Sequence, residues 1–318
     1  MGCKLGQAAS ENERLDSICD KPCGKTKMSM ETKLPKVSFL ILCYNTGEFI
    51  YETVKSAISQ DYMGDMEIII SDDCSSDNSW EEIQRAIGEN TSHFSIVANR
   101  NSVNLGMAVN ANWVRMKAQG EILVSADGDD ISMPNRVSTL VNYYLAHPEC
   151  YLLDSNFSFL CGKELCEHKQ QGGMYGLADF LHRKVQTNGC TRSYRRILAD
   201  AFPVLRRDCP TADSVFVLRA CLYAKGKCGI GVLPVPLVQY RIHPNQVSNS
   251  RNISSIKRMG IYRQYRDDIA VAVRNHYVSL GYMFSLFCWL GRYHVAALLQ
   301  YNSLWHRTAF GSQAPCEF

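Results

Sequence analysis

Two phosphate-binding signatures are missing from this 318-residue chain. No G-x-G-x-x-G follows the first apolar run, where "CYNTGEF" offers one glycine, so an ordinary dinucleotide site is not expected. No G-x-x-x-x-G-K-[ST] occurs either, which removes the P-loop nucleotide hydrolases. Repeats and low-complexity tracts are absent, as is any long Lys/Arg stripe. With a formal net charge of only +3, nucleic acid is not an expected partner. No secretory signal opens the chain, and residues 1–35 read as a polar, flexible leader. Its Gly2 and Cys3 hint at lipidation, but Gly6 stands where the myristoylation pattern wants Ser or Thr. The one membrane candidate, "YMFSLFCWLGRYHVAALL" (282–299), is interrupted by Arg292 and His294 before it reaches spanning length. It suits a buried or interfacial helix, which leaves peripheral contact with the cytoplasmic face of a membrane open.

Cysteine is not scarce, at fourteen residues, yet its placement argues against a disulfide scaffold. Such frameworks belong to small secreted chains without a core, whereas 46% of this chain is hydrophobic. Reduced, mostly buried thiols and a cytoplasmic location are expected. Cys19 with Cys23, or Cys161 with Cys166, could form half of a zinc site, but no His/Cys partners follow at matching spacing.

What is present is an alternation of strand and helix signals. "KVSFLILCY" (36–44) is a near-continuous apolar run ending in Asn45-Thr46-Gly47, the pattern of a central parallel strand covered on both faces. In "EFIYETVKSAISQ", Ile50, Val54, Ala57 and Ile58 recur at helical spacing. "MEIIISDDCSSD" (66–77) predicts a second strand, and "SWEEIQRAI" a helix whose Ser79 and Glu82 fit a capping box. "FSIVANR", then "GMAVNANWVRMKA" stopped by Gly120, then "EILVSADGDD", give strand, helix and strand. After Pro134 come a helix and the strand-like "CYLLDSNFSFL". "CGKELCEHKQQGGMYG" breaks the rhythm and reads as an excursion or loop. From about 255 the remainder reads as helices packed on or beside this domain.

Asn45, Asp72, Asp73, Asp127 and Asp129 all fall at the carboxyl ends of predicted strands, the edge where open α/β sheets bind ligands. The carboxylates of "ADGDD" would repel one another unless a cation or backbone donors were present. Two carboxylates at i, i+2 around a glycine can share one hard divalent ion that also holds phosphate oxygens.

Four segments, taken in order, resemble the inverting family-2 nucleotide-sugar glycosyltransferases of GT-A fold. They are "KVSFLILCYNTGEFIYETVKSAISQ", "EIIISDDCSSDNS", "NSVNLGMAVNANWVRMKAQGEILVSADGDDISMPNRV" and "TADSVFVLRACLYAKGKCGIGVLPVPLVQYRIHPNQVS". The resemblance implies a Rossmann-like, mixed, mainly parallel sheet flanked by helices. It also implies a nucleotide-binding half (36–133), an acceptor and catalytic half (134–254), and a helical C-terminal extension (255–318). Tyr44 resembles the residue that stacks on the nucleobase, or is a plain strand-end aromatic. Asp73 resembles the base-binding carboxylate and Asp72 its structural or ribose-side neighbour, although the adjacent pair could exchange jobs. Asn45, Asn104, Gly106 and Arg241 join the implied donor-binding set. Asp127 and Asp129 match the family's D-x-D, with Asp129 the direct ligand of Mn²⁺ or Mg²⁺, Asp127 on the ribose and ion side, and Asp130 near the metal's water shell. His243 would be a further metal ligand, a diphosphate contact or a loop-orienting residue. Asp213 occupies the place of the catalytic base, although relatives usually carry Glu-Asp and this chain has Ala212-Asp213; a helix cap is its other reading. Arg192, Arg195 and Arg196 could favour an anionic or lipid-diphosphate acceptor, or serve solubility.

The expected function is metal-dependent transfer of a sugar from a UDP- or dTDP-linked donor to a hydroxyl of a glycan or lipid-linked acceptor. A non-catalytic sugar-nucleotide-binding relative is the alternative, separated by donor binding without turnover. A nucleotidyltransferase would need a glycine- and basic-rich first loop that "LCYNTGEF" does not supply.

Overall fold

The structure is a computed structural model describing residues 33–162, 164–168, 171–244, 246 and 255–298. Residues 1–32 of the expected leader, with Gly2, Cys3, Cys19 and Cys23, lie outside the described residues, as do 299–318. The described chain from Leu34 onward belongs to one compact unit.

The first half runs β1 (Val37–Cys43), α1 (Ile50–Ile58), β2 (Met66–Asp72), α2 (Ser79–Gly88), β3 (Ser95–Arg100), α3 (Met107–Lys117) and β4 (Ile122–Asp127). The second half continues through β5 (Ile131–Ser132), α4 (Arg136–Ala146), β6 (Leu152–Cys161), β7 (Glu164–Glu167) and β8 (Gly173–Tyr175). Then follow α5 (Leu177–Leu181), β9 (Ser193–Arg195), α6 (Arg196–Asp200), α7 (Asp213–Tyr223) and β10 (Ile230–Arg241). The described part closes with α8 (Ser255–Arg274) and α9 (Leu280–Leu298).

One sheet runs β3-β2-β1-β4-β9-β6-β10-β5, with β7 beside β6 and β8 beside β10. The β3-β2-β1-β4 block is parallel throughout and β6 pairs β10 in parallel, while β5, β7, β8 and β9 pair antiparallel. The order reverses between β1 and β4, which makes their carboxyl ends the crevice of an open α/β sheet. Register places Cys43 opposite Asp72 and Leu42 opposite Asp127, so the polar tips of three strands end level.

Why β1 and β2 are apolar without alternation is visible in their packing. Phe39, Ile41, Ile68 and Ile70 enter a cluster with Ile50, Val54 and Ala57 of α1, while Leu40 and Ile69 enter a second cluster on the opposite face. Successive side chains point to opposite faces, so a strand covered on both must be apolar at every position. The second cluster also takes Ile261, Tyr265, Ile269 and Ala272 from α8 and Leu286 and Leu290 from α9. The C-terminal helices are therefore built into the core of this unit. No helix among the described residues is long and apolar enough to cross a membrane.

Three sequence expectations are corrected. The Ser79–Glu82 capping box does not form, because α2 starts at Ser79 itself. Asp77 Oδ1 instead accepts from the Ser79 amide (3.0 Å) and hydroxyl (2.5 Å), while Glu82 pairs with Arg85. The stretch expected to be a loop around 161–176 carries β7 and β8, two short edge strands. The basic cluster "RSYRR" is divided by strand alternation and hydrogen bonding. Arg195 donates to the carbonyls of Cys150 and Tyr144, and Arg196 to that of Gly120, so both brace main chain. Cys43, Cys150, Cys190, Cys209 and Cys221 are buried thiols, as expected.

Candidate active site

At the carboxyl edge of β1, β2 and β4 lies a cavity of about 770 Å³. Tyr44, half exposed, lines it directly after β1. Asn45 takes φ +53° and ties the β1 tip to the loop after β2: its amide donates to Ser75 Oγ (2.8 Å) and its Oδ1 accepts from Ser76 N (2.9 Å). It does not border the cavity.

The two adjacent aspartates differ sharply. Asp72 is fully buried, accepts hydrogen bonds from the Ser75 amide and hydroxyl, and pairs with Arg100 Nε at 3.4 Å. Asp73 borders the cavity and accepts from Asn101 Nδ2 (2.9 Å), Leu105 N (2.9 Å) and Gly106 N (2.8 Å). It thereby shapes the Asn104–Gly106 wall, whose Gly106 at φ +87° starts α3 in a conformation glycine adopts freely.

Gly128 sits where no other residue fits. A Cβ there would lie 2.9 Å from the Leu42 carbonyl oxygen and 2.8 Å from Thr46 Oγ1. This close approach sets the D-G-D turn against the β1 tip, and Asp127 and Asp129 both line the cavity. The Asp127 carboxyl is pushed up to about 7, first by burial and then by the charges of Asp129 and Asp213. Asp130 is held well above the usual carboxylate range by burial and the charges of Asp129 and Asp127; its Oδ1 accepts from Arg241 N (2.9 Å) and its buried Oδ2 has no hydrogen-bond partner among the described residues. Asp127, Asp130 and the Cys190 thiol bring ligand atoms within 4.8 Å of one another.

Asp129 Oδ2 lies 3.0 Å from His243 Nε2, so the structure brings this expected pair together. Arg241 does not reach the cavity. Its Nε donates to the Asp129 carbonyl (2.9 Å), its Nη2 to Glu52 (2.6 Å), and its guanidinium covers the Phe49 ring at 4.7 Å. Its place is a brace behind the D-G-D turn.

Asp213 opens α7 and lines the same cavity, where its Oδ1 accepts from Arg192 Nη1 at 3.0 Å. Arg192 is buried and lies over the Phe216 ring at 5.0 Å. A methyl group at Gly189 would sit 3.2 Å from Asp213 Oδ1 and 3.5 Å from Asp127 Oδ2, so the two carboxylates face the same small space. Sequence reasoning placed "GCTRSYRR" on the acceptor side but missed the nearness of the Cys190 thiol to Asp127 and Asp130, the Arg192–Asp213 pair, and Thr187 and Asn188 in the wall. Nothing in their spacing signals them, because the contacts are tertiary.

Residues 38–202 match Glycosyl transferase family 2. The chain belongs to that family. It is 33% identical over 107 residues to the UDP-Glc:alpha-D-GlcNAc-diphosphoundecaprenol beta-1,3-glucosyltransferase WfaP of Escherichia coli, covering 34% of this chain and 40% of that protein. It is 33% identical over 119 residues to the abequosyltransferase RfbV of Salmonella typhimurium, covering 37% and 35% respectively. The chain thus spans less than half the length of either relative. Among solved structures, S. aureus TarS in complex with UDP-GlcNAc superposes with a TM-score of 0.58 at 18% identity, over 73% of this chain and 66% of that one. The mannosyltransferase PcManGT of Pyrobaculum calidifontis, in complex with GDP-Man and Mn²⁺, superposes with a TM-score of 0.51 at 15% identity, over 85% and 74%. The fold of this family-2 chain is GT-A, as the sequence resemblance implied.

The donor set fits a divalent cation. Burial and like charge raise the Asp127 and Asp130 carboxyls even though Arg192 and Arg136 act on Asp127, and Asp130 Oδ2 is a buried acceptor with no hydrogen-bond partner among the described residues. Uncompensated buried carboxylates are what an oxygen-seeking ion relieves.

Proposed function

We propose that this family-2 chain is a metal-dependent inverting glycosyltransferase, moving a sugar from a UDP- or dTDP-linked donor to a hydroxyl of a glycan or lipid-linked acceptor. The observation that carries the reading is the convergence of Asp127 and Asp213 on the space beside Gly189. A base held close to the leaving-group site is what displacement at a sugar's anomeric carbon needs.

Residues 36–133 would hold the donor. Tyr44 offers a ring for the base, Asp73 a carboxylate edge, and the Asn104–Gly106 wall closes the nucleoside end. Asp127 and Asp129, with His243 against Asp129, would hold Mn²⁺ or Mg²⁺. When bound, that ion supplies Lewis-acid stabilisation to the departing diphosphate. Residues 134–254 would supply acceptor binding and the base. Asp213 takes the acceptor hydroxyl's proton as its oxygen bonds to the anomeric carbon and the sugar–phosphate bond breaks. Arg192, donating to Asp213 Oδ1 at 3.0 Å, fixes the carboxylate's direction.

Calorimetric titration of UDP with and without Mn²⁺, with dTDP, GDP and CDP as comparisons, tests the donor site. One diphosphate should bind only with metal, and Asp129→Asn should abolish that dependence. Asp213→Asn should keep donor binding and lower turnover by about 10²–10⁴-fold, the ordinary contribution of general base catalysis. Equal binding in the presence and absence of metal would sink the metal assignment. Donor binding without turnover in the unaltered protein against every acceptor class would favour the non-catalytic reading.

A further inference from the structure

The cavity is lined by four aspartates and four arginines, with no lysine, histidine or glutamate among the described residues. The aspartates gather at the strand tips and at Asp213. Arg115 and Arg192 border the wall around Tyr194, and both act electrostatically on that buried phenol. Arg183 and Arg258 border the wall at Tyr293 and act on it in the same way.

Arg115 is the exceptional member. It projects from the last turn of α3, is only 9% exposed, and its guanidinium makes no hydrogen bond among the described residues. Other buried arginines have acceptors, although Arg219 and Arg136 each keep one buried nitrogen without a partner among the described residues. Arg219 is clamped by Asp268 at 2.7 and 2.9 Å, and Arg136 donates to Ser132 Oγ and the Ser125 carbonyl. Arg192 donates to Asp213 yet keeps a buried Nε without a partner. A guanidinium cannot shed its charge at any working pH, so burying one without an acceptor is costly. Burial holds the Arg115 group below its ordinary pKa; Asp200 and Asp268 pull the other way without offsetting it, and Asp268 is already engaged by Arg219.

We propose that Arg115 and the partnerless Nε of Arg192 form an oxyanion subsite on the wall around Tyr194, which takes a phosphate group carried by the acceptor. This rests on the glycosyltransferase reading. The subsite lies on the acceptor's side of the reaction because Arg192 is bonded to the base, Asp213, while the donor diphosphate belongs with Asp127 and Asp129. Phosphate suits it better than carboxylate. Arg115 comes from a helix and Arg192 from the edge of β9, so their donors approach from different elements, which matches a tetrahedral anion. A carboxylate's two coplanar oxygens are satisfied by a single guanidinium fork. The phosphate could belong to a phosphodiester polymer or to a lipid diphosphate, two sources with one chemistry.

The test is calorimetric titration of the full chain with inorganic phosphate, pyrophosphate and acetate, in chelator and without metal. Phosphate or pyrophosphate should bind the unaltered protein and Asp129→Asn alike. Arg115→Gln should weaken it about tenfold or more, the cost of losing a charged hydrogen bond, and Arg115→Lys should restore part of that loss. Tighter binding of pyrophosphate than phosphate points to a diphosphate-linked acceptor; equal binding points to a single phosphate. Because Arg115→Gln could disturb folding, a second measurement uses the unaltered protein. Phosphate should protect Arg115 from an arginine-selective dicarbonyl reagent, read by peptide mass spectrometry. The proposal fails if neither phosphate species binds, if acetate binds as well, if Asp129→Asn rather than Arg115→Gln removes binding, or if Arg115 is not protected. Metal-dependent UDP binding by the same samples is read separately. Failure of UDP and dTDP alike to bind, with or without metal, would overturn the donor-site reading while leaving the phosphate result standing.

Discussion

At the scale of single residues, the D-G-D turn shows how a backbone constraint becomes a chemical one. Gly128 approaches the Leu42 carbonyl so closely that even a methyl group would have to displace main chain. Gly128→Ala should therefore cost about 1–3 kcal/mol of stability, the usual penalty for overpacking. Metal-dependent UDP binding should weaken along with it, because both flanking carboxylates move. Chemical denaturation and calorimetry on the same preparation check this. A different residue reports on pH. Asp154 is fully buried, accepts a hydrogen bond from Thr191, leaves its other oxygen without a partner among the described residues, and is pushed up to about 7 by burial. Between about pH 4 and 7 the folded chain thus keeps a proton that the unfolded chain releases. Its contribution falls by about 1.4 kcal/mol per pH unit as pH rises through that window, then levels off. Asp154→Asn keeps the shape and removes the titration, so the variant should gain on the unaltered protein as pH rises. Parallel stability curves for the two proteins from pH 5 to 8 would refute this.

At the scale of elements, α7 carries Asp213 on its first turn and is locked to α8 by a wholly buried pair, Arg219 with Asp268. Arg219→Met should cost about 3–5 kcal/mol because it leaves a buried carboxylate without its counter-charge, and Arg219→Met with Asp268→Leu should recover much of that. Urea midpoints of the two variants decide it; an equal loss in both would mean that packing, not charge, dominates. Legibility in the sequence divides along the same line. β1, β2, β4 and the buried face of α1 were readable because their patterns are local: apolar runs for strands covered twice, and Ile50, Val54 and Ala57 at helical spacing. β7, β8 and β9 were not, since strands of three or four residues owe their existence to partners far along the chain. Asp127, Asp129 and Asp213 were legible from spacing and resemblance. The roles of Arg195, Arg196 and Arg241 were not, because charge composition cannot say whether a guanidinium faces a ligand or a carbonyl. The Arg192–Asp213 contact spans 21 residues and exists only once β9 and α7 meet.

At the scale of the whole molecule, the helices after residue 254 decide how much of the chain the site needs. The sequence placed them on or beside the catalytic domain. They in fact supply six side chains to one of the two large core clusters, and Arg258, Ile261 and Tyr293 to the cavity wall. Removing them would expose the faces of Phe180, Phe202 and Phe216 that now pack in that cluster and would leave Arg219 without Asp268. Burial of apolar area is worth about 25 cal/mol per Å², so losing several large side chains from one cluster exceeds the few kcal/mol by which such folds are held. A chain ending at residue 254 should accordingly lose cooperative thermal unfolding and aggregate on purification. If it instead unfolds at the temperature of the full chain and binds UDP with Mn²⁺ equally well, then α8 and α9 are an appendage to a self-sufficient catalytic fold. The wall around Tyr293 would then have no part in the site.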